Sequence, residues 1–130
     1  MEFRLPTEAE WEYACRAGTT GDFAGTLDSM GWYYENAGRS RLNDAKWNTA
    51  ASNGNQTHPV GQKKPNGWGL YDMHGNVWEW CQDWFGDYKR DDQTDPAGAT
   101  EGSYRVIRGG GWGGIAVNCR SANRDRVGPD

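Results

Sequence analysis

Eight tryptophans and nineteen glycines in a chain of 130 residues constrain the fold more than any other feature. Large aromatic side chains bury much surface at few positions, and glycine tolerates the tight turns and positive φ angles of irregular backbone. Only 35% of the residues are hydrophobic, so the core depends on these few anchors. The composition therefore predicts one domain with much irregular backbone, in which regular helices and strands are a minority.

The clearest helix signal lies between Thr7 and Gly18. Thr7 can cap the helix N-terminus, and Glu10 follows three residues later as the reciprocal partner of a capping box. Gly18 supplies a stop signal at the other end. Because Trp11 and Cys15 are four residues apart, they lie on one apolar stripe. The segment therefore predicts a short amphipathic helix.

Two further segments predict strands. Residues 77–84 and 104–108 combine β-branched and aromatic side chains, and both are bounded by glycine. Residues 19–58 are rich in small polar residues, which predicts long loops with one or two short helical turns. The glycine run at 109–111 is followed by neither a lysine nor a helix signal, so it predicts a tight bend rather than a phosphate-binding loop.

Charge and hydropathy exclude two classes of partner. The net charge is −4, and the basic residues between 105 and 126 are balanced by acidic residues between 83 and 95. A chain that binds nucleic acid without sequence preference needs a basic face, so no nucleic-acid partner is expected. No apolar run approaches the roughly 20 residues that span a bilayer, so no membrane span is expected. The compartment stays open.

The three cysteines, Cys15, Cys81 and Cys119, show no CxxC spacing. This spacing gives little support to a zinc site or to thioredoxin-like redox chemistry. One disulfide with a leftover thiol and three reduced thiols are both compatible with the sequence. We favour the second, with the cysteines acting as small buried hydrophobic residues.

Five blocks carry a resemblance to a known family. They are RLPTEAEWEYA at residues 4–14, PVG at 59–61, PNGWGLYDM at 65–73, GNVWEW at 75–80 and YRVIRGG at 104–110. In this order they resemble the formylglycine-generating-enzyme-like (sulfatase-modifying-factor) family. The resemblance implies an α+β fold of the C-type-lectin-like type, loop-rich, with short helices and a small antiparallel sheet. It also implies that residues 1–130 form a single domain that corresponds to the C-terminal part of the family domain and lacks its last strand.

The resemblance further implies a calcium site in the loop of residues 72–79. The family binds calcium on the positions that match Asp72, Gly75, Val77 and Glu79, through two carboxylates and two backbone carbonyls. Calcium prefers such hard oxygen ligands. The alternative is that Glu79 points outward between core Trp78 and Trp80. A second family site would use the region around Asn36, Ala37 and Asn53, where the match is poor. We predict that His58 and His74 occupy ordinary surface or turn positions and are not metal ligands.

The resemblance does not extend to the family's oxidase chemistry. Formylglycine-generating enzymes bind copper through two cysteine thiolates just after the block that matches residues 108–112, and soft thiolates are suited to monovalent copper. The matching segment here holds one cysteine, Cys119. We therefore expect no copper and no catalytic residues. The alternatives are a true formylglycine-generating oxidase or an accessory domain of a related iron-dependent sulfoxide synthase.

The segment from Gly111 to Asp130 suggests a variable recognition surface. Variable proteins of diversity-generating retroelements use the same fold and diversify such a segment at the adenines of Asn codons, and its Gly, Ile, Ala, Val and Asp residues are all reachable in this way. Trp11, Trp68, Trp78 and Trp80 are the predicted anchors of the scaffold beneath it. The segment is equally compatible with a neutral loop. The predicted ligand-binding residues are Trp112, Gly113, Gly114, Ile115, Val117, Asn118, Asn123, Asp125 and Val127.

Together these observations predict a non-catalytic domain, stabilised by calcium, that binds a protein or another macromolecular ligand through its C-terminal loop surface.

Overall fold

A computed structural model describes residues 1–43 and 47–130. It contains helices α1 (Glu8–Arg16), α2 (Leu27–Met30) and α3 (Trp47–Ser52), strands β1 (Glu79–Trp84), β2 (Arg105–Arg108) and β3 (Arg124–Val127), and a 3₁₀ turn (Ala116–Cys119). The three strands form one antiparallel sheet in the order β1-β2-β3. Most of the described chain is loop, as the glycine content predicts. None of the described helices is long and apolar enough to cross a bilayer.

Helix α1 forms as its local sequence predicts. The Thr7 hydroxyl accepts the backbone N–H of Glu10, and the Glu10 carboxylate accepts the backbone N–H of Thr7, which completes the capping box. The helix ends at Arg16, and its C-cap, Ala17, is left-handed with φ of 45°, one residue before the predicted glycine. Trp11 and Cys15 are buried, so the predicted apolar stripe packs against the core.

The core consists of several small clusters. Trp11, Cys15, Cys81 and Val106 are buried together between α1 and the sheet, with Met73 and Phe85 packed against them. Leu27 and Tyr33 surround Cys119 in a second cluster. All three cysteines are buried and free, which confirms that they act as small hydrophobic residues. The prediction that Trp68 and Trp80 anchor the core is wrong, because Trp68 is 49% exposed and Trp80 is 41% exposed.

A buried ion network joins α1 to the sheet. Arg108, only 1% exposed, pairs with Glu8 at 2.8 Å and with Glu12 at 2.9 Å. Glu8 also pairs with Arg124 at 2.7 Å, and the Tyr88 hydroxyl accepts from Arg108 at 3.0 Å. Buried charges are tolerated when they are paired and hydrogen-bonded. The network therefore fixes the position of α1 on β2 and β3.

His74 is completely buried, so it is not at the surface, but it does lie in a bend, the other position predicted for it. One ring nitrogen, Nδ1, lies 2.8 Å from the Cys119 carbonyl oxygen, and Nε2 accepts the backbone N–H of Ala24 at 3.1 Å. Burial lowers the pKa of the imidazole. Neutral His74 with its proton on Nδ1 satisfies both contacts and joins three distant segments of the chain.

The sequence predicted β1 to begin two residues earlier and did not predict β3. Residues 125–127 form part of a strand rather than a loop. Arg105, Val106, Ile107 and Arg108 of β2 each face one residue of β3, and Arg108 faces Arg124. The backbone of β3 is held by its pairing with β2. Its charged sequence is therefore compatible with a strand at the edge of the sheet.

The exposed edge of β3 is protected by its own side chain. The Asp125 carboxylate accepts the backbone N–H of Arg126 at 2.8 Å. Unpaired edge donors promote pairing with other chains. We therefore expect Asp125→Ala to increase self-association, which sedimentation velocity can measure over a concentration series. Asp130→Ala, which removes the same charge outside the strand, should leave the sedimentation coefficient unchanged; equal behaviour of the two variants would contradict the prediction.

Candidate functional site

Two left-handed glycines turn the chain out of β2 toward the predicted recognition segment. Gly109 has φ of 94° and Gly110 has φ of 73°. A Cβ on Gly110 would lie 2.7 Å from the Cys119 sulfur. Glycine is therefore required at Gly110 for both its dihedral angle and its close packing. The predicted tight bend at 109–111 is confirmed at these two positions.

The backbone of residues 112–118 is anchored at several points. The backbone N–H of Trp112 donates to the carbonyl of Asn76 at 2.9 Å, and the Gly114 carbonyl accepts from the backbone N–H of Tyr34 at 2.8 Å. The segment ends in the 3₁₀ turn, whose last residue, Cys119, is buried in the second core cluster. The path of this segment is therefore set by backbone contacts and by one buried side chain.

Three apolar side chains of this segment are partly exposed and belong to none of the core clusters. Trp112 is 36% exposed, Ile115 42% and Val117 44%. Gly113, Gly114 and Asn118 are half-buried between them. The segment thus presents apolar side chains that contribute little to the core, on a backbone that does not depend on them.

The remaining predicted recognition residues lie elsewhere. Asp125 faces Ile107, and Val127 faces Arg105 at the far end of β2 from Trp112. The four residues of β2 span about 10 Å. Asn123 is half-buried, and its backbone carbonyl accepts from the Arg108 guanidinium at 3.3 Å. The structure brings residues 112–118 together as one surface and separates Val127 from it.

In the loop of residues 72–79, Asp72 has one carboxylate oxygen without a partner. Asp72 is 8% exposed and has φ of 58°. Its Oδ2 accepts the backbone N–H of Gly61 at 2.9 Å, whereas its buried Oδ1 has no hydrogen-bond partner in the described structure. A buried carboxylate oxygen without a partner is costly. Such an oxygen suits a cation ligand.

Glu79 points inward, which corrects the outward alternative. Its carboxylate accepts the indole N–H of Trp11 at 2.7 Å, and it is Trp80 that faces solvent. Burial raises the pKa of the Glu79 carboxyl, and the negative charge of Asp72 adds to this effect. Two acidic groups therefore share a partly buried region.

The backbone between the two carboxylates is tightly held. Gly75 has φ of 101°, and any Cβ there would overlap the Trp32 carbonyl oxygen. Val77 is 48% exposed. No donor among the described residues reaches the carbonyl oxygens of Gly75 and Val77. The described residues contain no group of three or more His, Cys, Asp or Glu side chains suited to a metal, so a cation here would need these carbonyls.

The second region named by the family resemblance has its amides engaged by the protein. The Asn36 side chain accepts from the backbone N–H of Tyr33 and donates to the Gly31 carbonyl. The Asn53 side chain is bonded to Ser40 and Asn55. These contacts leave no orphaned oxygen of the kind found at Asp72.

Burial keeps the three thiols protonated. Burial raises the pKa of Cys15 to about 11 and the pKa values of Cys81 and Cys119 to about 12. Because the thiolate is the nucleophilic form, these three side chains are poor nucleophiles near neutral pH.

Comparison with protein-family profiles matches residues 1–130 to the sulfatase-modifying factor enzyme 1-like domain. The chain belongs to this family. It is 44% identical over 116 residues to the formylglycine-generating enzyme of Streptomyces coelicolor, a match that covers 84% of this chain and 36% of that enzyme. It is 40% identical over 130 residues to the serine/threonine-protein kinase pkn1 of Chlamydia pneumoniae, covering 97% of this chain and 19% of that protein.

The fold of this sulfatase-modifying factor enzyme 1-like domain resembles solved structures. Treponema denticola variable protein 1 matches with a TM-score of 0.80 and 41% identity, over 97% of this chain and 42% of that one. PvdO from Pseudomonas aeruginosa matches with a TM-score of 0.65 and 30% identity, over 98% and 47%. These matches confirm the predicted C-type-lectin-like fold. The chain spans less than half the length of each of these four relatives.

Asn76 was not singled out from the sequence, although it positions both candidate sites of this family member. Its side-chain amide makes two hydrogen bonds to the backbone of His58: it accepts from the His58 N–H and donates to the His58 carbonyl, each at 2.9 Å. Its carbonyl accepts from Trp112. Asn76 has φ of 70°, and asparagine tolerates this left-handed conformation better than most residues do. The asparagine that directly follows Gly75 is the sequence feature that could have indicated a left-handed residue here.

Proposed function

We propose that this chain is a non-catalytic binding domain whose recognition surface is formed by residues 112–118. The observation that carries the proposal is the exposure of Trp112, Ile115 and Val117 on a backbone anchored by other residues. Such a surface can change its side chains without loss of the fold. The similarity to a structure named a variable protein supports the same role.

The ligand class follows from the chemistry of the surface. Residues 112–118 contain no charged side chain, and an exposed tryptophan beside two aliphatic residues is typical of the centre of a protein interface. We infer a protein or another macromolecular ligand that buries these three side chains. Asn123 and Asp125 supply polar contacts at the margin, and Val127 contributes only to a ligand large enough to reach the far end of β2.

One test of the proposal compares how well the recognition surface and the core tolerate substitution. Randomising positions 113, 115 and 117 should leave most variants folded, because Gly113 is half-buried and the side chains of Ile115 and Val117 are exposed. Randomising the buried positions Val106, Cys119 and Ser121 should unfold most variants. Protease resistance of a displayed library measures both, and selection of the first library against a labelled test protein should yield binders. Equal loss of folding in the two libraries would contradict the proposal that residues 112–118 form a recognition surface.

The competing function is that of a formylglycine-generating oxidase, favoured by the identity to the Streptomyces coelicolor enzyme. The single cysteine after the glycine bend, Cys119, opposes it, since the family's copper site uses a pair of thiolates in this segment and monovalent copper prefers such soft ligands. Incubating the chain with copper(I), oxygen and a cysteine-containing sulfatase-type peptide distinguishes the two functions. Mass spectrometry should find the peptide unchanged. Conversion of the cysteine to formylglycine would establish the oxidase instead.

We further propose that calcium stabilises the domain through Asp72, Glu79 and the carbonyls of Gly75 and Val77. The unpartnered Oδ1 of Asp72 supports the proposal, because a cation would compensate the buried charge. The recognition segment would benefit, since Asn76 lies inside the same loop and accepts from Trp112.

Saturating calcium should raise the melting temperature of the wild-type chain, because binding only to the native state adds about 2.7 kcal/mol at 100 times the dissociation constant. Asp72→Ala should abolish this increase. Asp91→Ala, which removes an exposed carboxylate outside the loop, should retain it. A melting temperature that is independent of calcium in the wild type would exclude the site. Differential scanning calorimetry after chelation with EGTA provides the measurement.

A further inference from the structure

A large groove lies on the side of α1 that faces residues 86–101. Its volume is about 910 Å³, within the range of roughly 300–1,000 Å³ typical of small-molecule sites. Neither residues 111–119 nor the loop of residues 72–79 lines it. We call it the α1 groove. Its properties are therefore independent of the recognition surface and of the proposed calcium site.

The floor of the α1 groove is the buried ion network, and its charges are already paired. Arg108 contacts Glu8, Glu12 and the Tyr88 hydroxyl. Arg124 contacts Glu8 and donates to the Gly86 carbonyl at 2.7 Å. A ligand gains no free guanidinium there, and an anionic ligand would have to break existing pairs at considerable cost.

Three other carboxylates in the lining have no cationic partner in the described structure. Asp83 is 4% exposed, and its Oδ1 accepts the backbone N–H of Glu8 at 2.8 Å. Its Oδ2 faces Gly98, where a Cβ would lie 2.5 Å away. Asp87 and Glu101 are exposed at the rim. The only cation of the lining without a carboxylate partner among the described residues is Lys89. Over the whole lining, five carboxylates exceed four cationic side chains (Arg16, Lys89, Arg108 and Arg124), which leaves a net charge of −1.

The walls of the α1 groove consist of aromatic side chains and small residues. Tyr13 is 71% exposed and Tyr88 is 63% exposed, and both line the groove with Trp84. Ala97 and Ala99 leave room between them. One face of Tyr88 is already covered by the Arg124 guanidinium, 4.2 Å from the ring centre, and one face of Trp84 by the Arg105 guanidinium at 3.5 Å. Their opposite faces and the exposed ring of Tyr13 can attract organic cations and bind flat apolar groups.

We propose that the α1 groove binds small primary amines that carry an apolar body, with the ammonium at the exposed rim carboxylates of Asp87 and Glu101 and the body against the aromatic walls. The paired floor disfavours carboxylates and phosphates. The excess of carboxylates favours a protonated amine over a neutral molecule of the same shape.

The test uses protonated phenethylamine, with 2-phenylethanol as its neutral counterpart and 3-phenylpropionate as the anion. In ¹H–¹⁵N NMR titrations of the full chain, phenethylamine should shift the resonances of Gly86, Gly98 and Ala99 and leave those of residues 113–118 unchanged. A ligand of this size should have a dissociation constant on the order of millimolar. The alcohol should bind at least fivefold more weakly, and the carboxylate more weakly still.

The double variant Asp87→Asn, Glu101→Gln should weaken amine binding several-fold and leave alcohol binding unchanged. The matched double variant Asp91→Asn, Asp92→Asn changes the net charge equally outside the lining and should bind the amine as the wild type does. Equal affinity for amine and alcohol, shifts confined to residues 113–118, or equal effects of the two double variants would overturn the proposal. None of these outcomes depends on whether residues 112–118 bind a partner.

Discussion

Glu8→Gln should lower the free energy of unfolding by about 3–5 kcal/mol, the usual cost of breaking a buried ion pair from one side. Glu8 is 4% exposed and pairs with both Arg108 and Arg124. Glutamine has nearly the same shape but no charge, so the almost fully buried Arg108 would retain only Glu12 as an anionic partner. The guanidinium cannot avoid this cost by releasing its proton.

Urea denaturation at fixed pH measures the effect, with the midpoint and the slope fitted separately. Glu10→Gln is the matched control, because it makes the same change in the same first turn of α1. Glu10 pairs with Arg4 in solvent, where both side chains are about half exposed. Exposed pairs contribute little, and glutamine can preserve the capping box. Similar losses in the two variants would show that burial of the network does not govern its stability.

Gly31→Ala should destabilise the protein by about 3 kcal/mol or more, beyond the usual cost of overpacking. Gly31 is buried at the end of α2, and a Cβ there would overlap the backbone carbonyl oxygen of His74. His74 cannot yield easily, because its ring is completely buried and contacts both Cys119 and Ala24. The added methyl group would therefore separate α2 from the loop of residues 72–79.

Gly21→Ala provides the comparison for this prediction. The nearest atom to a Cβ at Gly21 is the Phe23 carbonyl oxygen at 3.7 Å, an ordinary contact, and Gly21 is exposed. We expect a change within about 0.5 kcal/mol. Thermal unfolding followed by near-ultraviolet circular dichroism can compare both variants with the wild type. If Gly31→Ala unfolds at the wild-type temperature, the close contact between Gly31 and His74 is not a constraint.

Features that depend on neighbouring residues were predictable from the sequence. Thr7 and Glu10 are three positions apart and interact directly, so their types determine where α1 begins. The bend after β2 followed from consecutive glycines, and residues 105–108 formed the predicted strand. Family membership was equally accessible, because the matching blocks are long and unusual in composition.

Features that depend on distant partners were predicted less well. Trp80 was assigned to the core because tryptophan is large and apolar, yet its strand register turns it outward and Glu79 inward. Strand β3 has the sequence RDRV, which carries no apolar alternation, and it becomes a strand only because β2 offers it a partner. His74 lacks a local signal altogether, since its contacts come from Ala24 and Cys119.

The sequence by itself determined the family, helix α1, the glycine bend and the burial of the cysteines. Tertiary structure alone decided which charges are buried, which tryptophans face solvent, and that the α1 groove exists. The physical reason is the range of the interactions. Caps and turns involve residues within a few positions, whereas Glu8 meets Arg108 and Arg124 across separations of 100 and 116 residues. Composition cannot specify such pairings, because they arise only when the packed chain excludes water from both partners.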